Sequence, residues 1–120
     1  MAEATVLLVW STIVHLIADW LLQTDWMAFH KSNVRHPAAW VHSGIHAAGL
    51  CLVFTWPLAL GVGLTHLLID TRKPLLWWMR VIKRIPSDAH FPVVEVWLDQ
   101  VMHITILAGA ALCVAWCAFT

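Results

Sequence analysis

Four pairs of potential metal ligands recur along this chain at one spacing: His15 with Asp19, His42 with His46, His66 with Asp70, and Asp99 with His103. Residues four apart lie one turn above another on the same helix face, so each pair aims two donors in one direction. Imidazole and carboxylate without a thiolate suit zinc first, with manganese or iron as alternatives. Eight donors are enough for one or two divalent ions with positions left for water. Facing carboxylates and histidines are also how soluble two-metal bundles are built. His42 reads as a ligand or as support for one. Glu95 precedes Asp99 by one turn, Gln23 follows Asp19 by one turn, and Asp25 lies just beyond. Glu95 or Asp25 is the candidate general base, and Gln23 the candidate for orienting water or substrate.

The elements that carry these groups are greasy. Hydrophobic residues make up 61% of the 120, charged ones 12%, and mean hydropathy is +0.76; soluble domains carry about 25% charge. The expected fold is all-α, a single transmembrane domain over residues 1–120. It is an integral membrane four-helix bundle with helices at about 4–22, 38–56, 58–79 and 93–119, each near the ~20 apolar residues that cross a bilayer core. Pro37 opens the second run and Pro57 ends it, so the second and third form a tight hairpin turning at Trp56–Pro57. Pro74 is expected to kink or end the third near Lys73. The first run has neither a basic start nor a small-residue cleavage site and reads as a retained helix. Many of the nine tryptophans lie near the ends of the runs, as at a membrane interface. Cys51, Cys113 and Cys117 lie inside apolar runs without zinc-ribbon spacing and read as buried small hydrophobes.

Charge orients the bundle. All seven Lys and Arg fall in Thr24–His36 (Lys31, Arg35) or Thr71–Phe91 (Arg72, Lys73, Arg80, Lys83, Arg84). Loops at about 24–36 and 80–91 are therefore cytoplasmic, with both termini outside. All four ligand pairs then lie at one level, in the cytoplasmic half of the membrane. One Asp near a helix centre costs roughly 2.5–3.5 kcal/mol on insertion scales, so such a layer must satisfy itself or hold a metal. A metal-free proton relay and a purely structural His–Asp network are the alternatives. His30, His36 and His90 fall in the loops, solvated or covering the site. Lys73 reads as a phosphate contact or as a lysine snorkelling at the membrane edge. Arg80–Arg84 reads as a topology signal or a short interfacial helix. Formal net charge is zero, and no nucleic-acid partner is expected.

HLIADWLLQTDWMA at His15–Ala28 with Lys31 following, HSGIH at His42–His46, THLLIDTRKP at Thr65–Pro74 and LDQVMH at Leu98–His103 form an ordered set of motifs. Together they resemble the DUF3307 family of small bacterial and phage membrane proteins over nearly the whole chain. Trp20 stands where that family commonly has Phe. A more distant similarity is to inner-membrane metal-dependent hydrolases. The resemblance implies a bacterial inner membrane and, by analogy only, hydrolase chemistry.

The expected function is a membrane-embedded metal-dependent hydrolase acting from the cytoplasmic side on a lipid-like or phosphate-containing substrate. Its partners would be the bilayer, an anionic lipid or small amphiphile, and a second copy in a homo-oligomer. A metal-ion or proton transporter and a small membrane effector with a structural metal are the alternatives. A di-iron oxidase, suggested by the His-x-x-x-His element of HSGIH, ranks below them. Transport needs a polar route through the outer half, where the runs read TVLLV, GLCLVFTW, LALGVGL and TILAGAALCVAW.

Overall fold

Prolines and caps set the helix boundaries. The computed structural model describes residues 2–85 and 91–118, and every regular element among them is helical. α1 (Ala2–Leu16) runs on through a π-helical turn at Ile17–Leu21. α2 (Asp25–His30) is capped by Thr24, whose hydroxyl accepts from the Met27 N–H at 3.4 Å. α3 (Pro37–Leu50) has Pro37 in its first turn, where the missing N–H is not needed, and His36 Nδ1 accepts from the Ala38 N–H. α4 (Trp56–Asp70) opens in the same way on Pro57. α5 (Lys73–Trp77) leads into a second π-helical turn, Trp78–Ile82, and α6 is the long helix Phe91–Cys117.

Several expected boundaries move. The run at 38–56 stops being helical at Leu50, because Pro57 belongs to the first turn of α4 and the chain must reverse before it, through Cys51–Thr55. The run at 58–79 is two helices. Pro74 cannot donate to the last turn of α4, so the chain breaks at Thr71 and Arg72, the latter left-handed at φ 61°. The 24–36 connection contains α2, and the start of the 80–91 connection lies in the second π turn. The remainder of that connection, 86–90 with His90, lies outside the described residues. The three cysteines are exposed, not buried: apolar residues lie on the outer faces of these elements as well as in the core.

α1 packs on α3 and α6, and α4 packs on the same two helices. α2 rests on α3, while α5 lies against α4 and α6. Small residues let α3 and α4 approach closely. Ser43 Oγ donates to the Gly63 carbonyl at 2.6 Å, and a methyl group built on Gly63 would meet Ala47 Cβ at 2.8 Å. At one end of the helices sits an apolar core of Leu50, Phe54, Ala59, Val62, Leu107, Ala110 and Ala111. At the other end the interior is polar.

The surface inverts the usual distribution. Leu21, Phe29, Leu52 and Trp116 are 74–87% exposed, and all nine tryptophans are exposed, whereas His15, His42 and His46 are at most 2% exposed. Two helices, Glu3–Leu21 and Phe91–Cys117, are long and apolar enough to cross a membrane. Little of either is covered by the rest of the chain, unlike the core helix of a soluble domain. α3 and α4, at 14 and 15 residues, are shorter than the span expected of each.

The α3–α4 contact yields a paired test. Gly61 has open space around it and Gly63 does not. Alanine should therefore be about 1–3 kcal/mol less favourable at 63 than at 61, since helix propensity cancels in the difference and overpacking remains. Thermal unfolding of the two variants measures it; equal midpoints would mean that the helices are not in close contact there.

Candidate metal centre

Each long helix brings its pair to the same place. His15 closes α1, and Asp19 sits in the π turn that follows, a kind of turn that recurs at functional sites. His42 and His46 lie in the middle of α3, His66 and Asp70 in the last turns of α4, and Asp99 and His103 in the first half of α6. The rings of His46 and His66 stack with centroids 3.6 Å apart, and those of His15 and His103 stack at 5.0 Å. Asp19 Oδ1 is 3.1 Å from His46 Nε2 and 3.2 Å from His42 Nε2, and Asp19 Oδ2 is 3.4 Å from His15 Nε2. Asp70 Oδ2 is 3.1 Å from His66 Nε2 and 3.3 Å from His42 Nε2.

Two groups of donor atoms are close enough to share an ion. Asp19, His42, His46 and His66 form one, His66, Asp70 and His103 the other, with atoms in each within 4.8 Å of one another. Zinc ligands at about 2.0–2.1 Å in a tetrahedron stand about 3.3 Å apart. The edges Asp19–His42, Asp19–His46 and His42–His66 measure 3.2, 3.1 and 3.2 Å. Tautomer chemistry points the same way. His103 Nδ1 lies 2.9 Å from the Asp99 carbonyl, which can only accept, so Nδ1 carries the proton. In the neutral ring His103 Nε2 is then a bare lone pair, buried without a hydrogen-bond partner and 3.9 Å from Asp70 Oδ1. A lone pair facing a carboxylate leaves room for a cation or a water between them. His15 Nε2 is likewise buried with no hydrogen-bond partner. His42 Nε2 has two carboxylate oxygens, an imidazole nitrogen and an ammonium within 3.3 Å, yet carries one proton at most. The donor set fits a divalent ion.

Other residues fall differently from expectation. Asp99 belongs to neither close group; its side chain is 21% exposed and accepts from Gln100 Nε2 at 3.4 Å. Two participants were missed as site residues. Lys31 Nζ is 3.3 Å from Asp70 Oδ1, 3.3 Å from His42 Nε2 and 3.8 Å from Asp19 Oδ1. Gln100 Nε2 donates to Asp19 Oδ2 at 3.2 Å. The helical spacing of Gln100 to His103 was a signal for the second; Lys31 was marked only by its place after the first motif, and its loop carries no pattern that says which way it points.

Above the cluster opens a cavity of about 340 Å³, lined by Asp19, Gln23, Lys31, Asp70, Arg72, Glu95, Asp99 and Gln100 together with Trp20, Leu75, Pro92 and Val96. Glu95 is held by Arg72 at 3.3 Å. Gln23 Oε1 is buried without a hydrogen-bond partner. Asp25 is exposed at the start of α2 and Lys73 at the start of α5, and neither lines the cavity. His30 and His36 stack on each other at 4.3 Å, away from that lining.

A family model described as "Protein of unknown function (DUF3307)" matches residues 7–119, and the chain belongs to that family. No curated protein and no solved structure matches it.

Asp19 faces His15, His42, His46, Gln100 and Lys31 at once. Asp19→Ala strands those partners and should cost about 3–5 kcal/mol, as breaking buried ion pairs does. Asp25→Ala should stay within about 0.5 kcal/mol, as at an ordinary surface position. Comparable unfolding curves for the two variants would contradict the buried pairing.

Proposed function

We propose that this member of the family is a membrane-embedded metal-dependent hydrolase acting on an anionic amphiphile from the cytoplasmic side. The observation that carries it is a cavity open on one side, with the carboxylates of the His/Asp cluster in its wall and an apolar core sealing the other end of the helices. Transport through the protein would need a polar route past Leu50, Val62 and Leu107, and those residues offer none. The chain is then a four-helix membrane bundle of α1, α3, α4 and α6, its exposed leucines and tryptophans facing lipid. The arginines and lysines set the cavity mouth toward the cytoplasm.

Either donor group, Asp19, His42, His46 and His66 or the adjoining His66, Asp70 and His103, would hold a metal, zinc first, with His15 against Asp19 as support. A divalent ion held there supplies a Lewis acid and makes hydroxide available near neutral pH. The protein's own groups do the rest. Lys31 and Arg72 attract an anionic head group, Gln23 and Gln100 orient it, and Glu95, positioned by Arg72, takes the proton from the attacking water and returns it to the alkoxide that leaves as the ester bond breaks. An apolar groove of about 370 Å³ with Ile69, Trp78, Leu98 and Met102 in its wall follows the same α4–α6 seam. Ile69 adjoins Asp70, and Leu98 adjoins Asp99. It would take the alkyl chain of the same substrate.

Protein purified in mild detergent without added metal should contain a divalent ion and cleave an alkyl phosphate ester. Glu95→Gln should keep the ion and lose about 10²- to 10⁴-fold in turnover. His46→Ala should lose both. Full activity in protein stripped of metal by a chelator would overturn the proposal.

A further inference from the structure

We infer that the site takes one divalent ion, not two, and that the Lys31 ammonium is its second cation. This rests on the metal reading above and goes beyond it in stoichiometry and in the role of Lys31. Counting donors alone leaves both stoichiometries open, because the two ligand groups share His66 and each could seat an ion. Charge decides between them. The cavity wall carries four carboxylates, Asp19, Asp70, Glu95 and Asp99, and two cations, Lys31 and Arg72. The excess of two negative charges matches one divalent ion. A second ion would leave the wall with an excess of two positive charges, each repelling Lys31 and Arg72.

Placement agrees with charge. The Lys31 side chain is 17% exposed, and its Nζ lies 3.3 Å from Asp70 Oδ1 in one ligand group and 3.3 Å from His42 Nε2 in the other. It therefore sits between the two groups, where the second ion of a two-metal centre, about 3.5–4 Å from the first, would compete with it. Asp19, His42, His46 and His66, three imidazoles and a carboxylate, are then the seat of the ion, and Asp70 pairs with the lysine. An ammonium on a four-carbon stem rooted beside α2 can hold a substrate oxygen as a second metal would, and it does not exchange with solution.

Zn²⁺ is the probe. Wild-type protein in detergent is loaded, desalted and measured by elemental analysis, and its affinity is read by competition with a chromophoric chelator. One ion per chain is expected. Lys31→Met, which removes a positive charge beside the seat, should bind that ion at least tenfold more tightly, and Lys31→Arg should bind it as wild type does. Two ions per wild-type chain would overturn the inference while leaving the metal reading intact, and so would an unchanged affinity in folded Lys31→Met. No ion in any variant would overturn both. The wild-type stoichiometry decides the matter alone if Lys31→Met fails to fold.

Discussion

Two carboxylates buried among histidines govern this structure. Asp19 and Asp70 are 8% and 4% exposed, and each is surrounded by groups from other helices. Removing an ion from water costs several kcal/mol even after relaxation, so neither can be buried until its partners are in place. The partners come from α1, α3, α4 and α6 and from the chain just after α2. The polar layer therefore couples elements that their apolar surfaces alone would leave free to slide, since lipid-like surfaces offer little preference between one apolar contact and another. What is costly locally becomes specific globally.

The same coupling explains why the two ends of the helices differ. The end with Leu50, Phe54, Val62 and Leu107 closes by apolar packing. The other end cannot close, because Lys31, Arg72 and Glu95 need water or a ligand on one side. A cavity at that end follows from the charge distribution, and its carboxylate-rich wall follows from where the helices place Asp19, Asp70 and Asp99.

Much of this was legible in the sequence, and the reason is periodicity. An i, i+4 spacing survives in any helix, so His15/Asp19, His66/Asp70 and Asp99/His103 could be placed on common faces without knowing the fold. Their convergence followed from matching their positions along alternating runs. What was not legible had no period. Lys31 lies just past the short α2, and only the way α2 rests on α3 brings its ammonium to His42 and Asp70. The helix ends were misjudged where a proline was read as a stop. Pro57 and Pro74 each sit in the first turn of the helix that follows. Hydrophobicity misled for the cysteines as well: they face outward, while the apolar core is filled by neighbours such as Leu50, Ala110, Ala111 and Leu107.

The distance between α3 and α4 sets whether these ligands can act together. His46 and His66 stack at 3.6 Å, and that separation is inherited from the backbones beneath them. One turn from His46 is Ser43 and one turn from His66 is Gly63, and these meet through a 2.6 Å hydrogen bond with Ala47 against the glycine. A larger residue at 63 would move α4 away from α3 and carry His66 and Asp70 with it, while His42 and His46 stayed with Asp19. Metal ligands tolerate displacements of a few tenths of an ångström, so a side chain that offers no donor decides whether donors on two helices form one centre. The chemistry of the site is thus specified twice: by the residues that point into it, and by the small residues one turn away that let the helices come close enough.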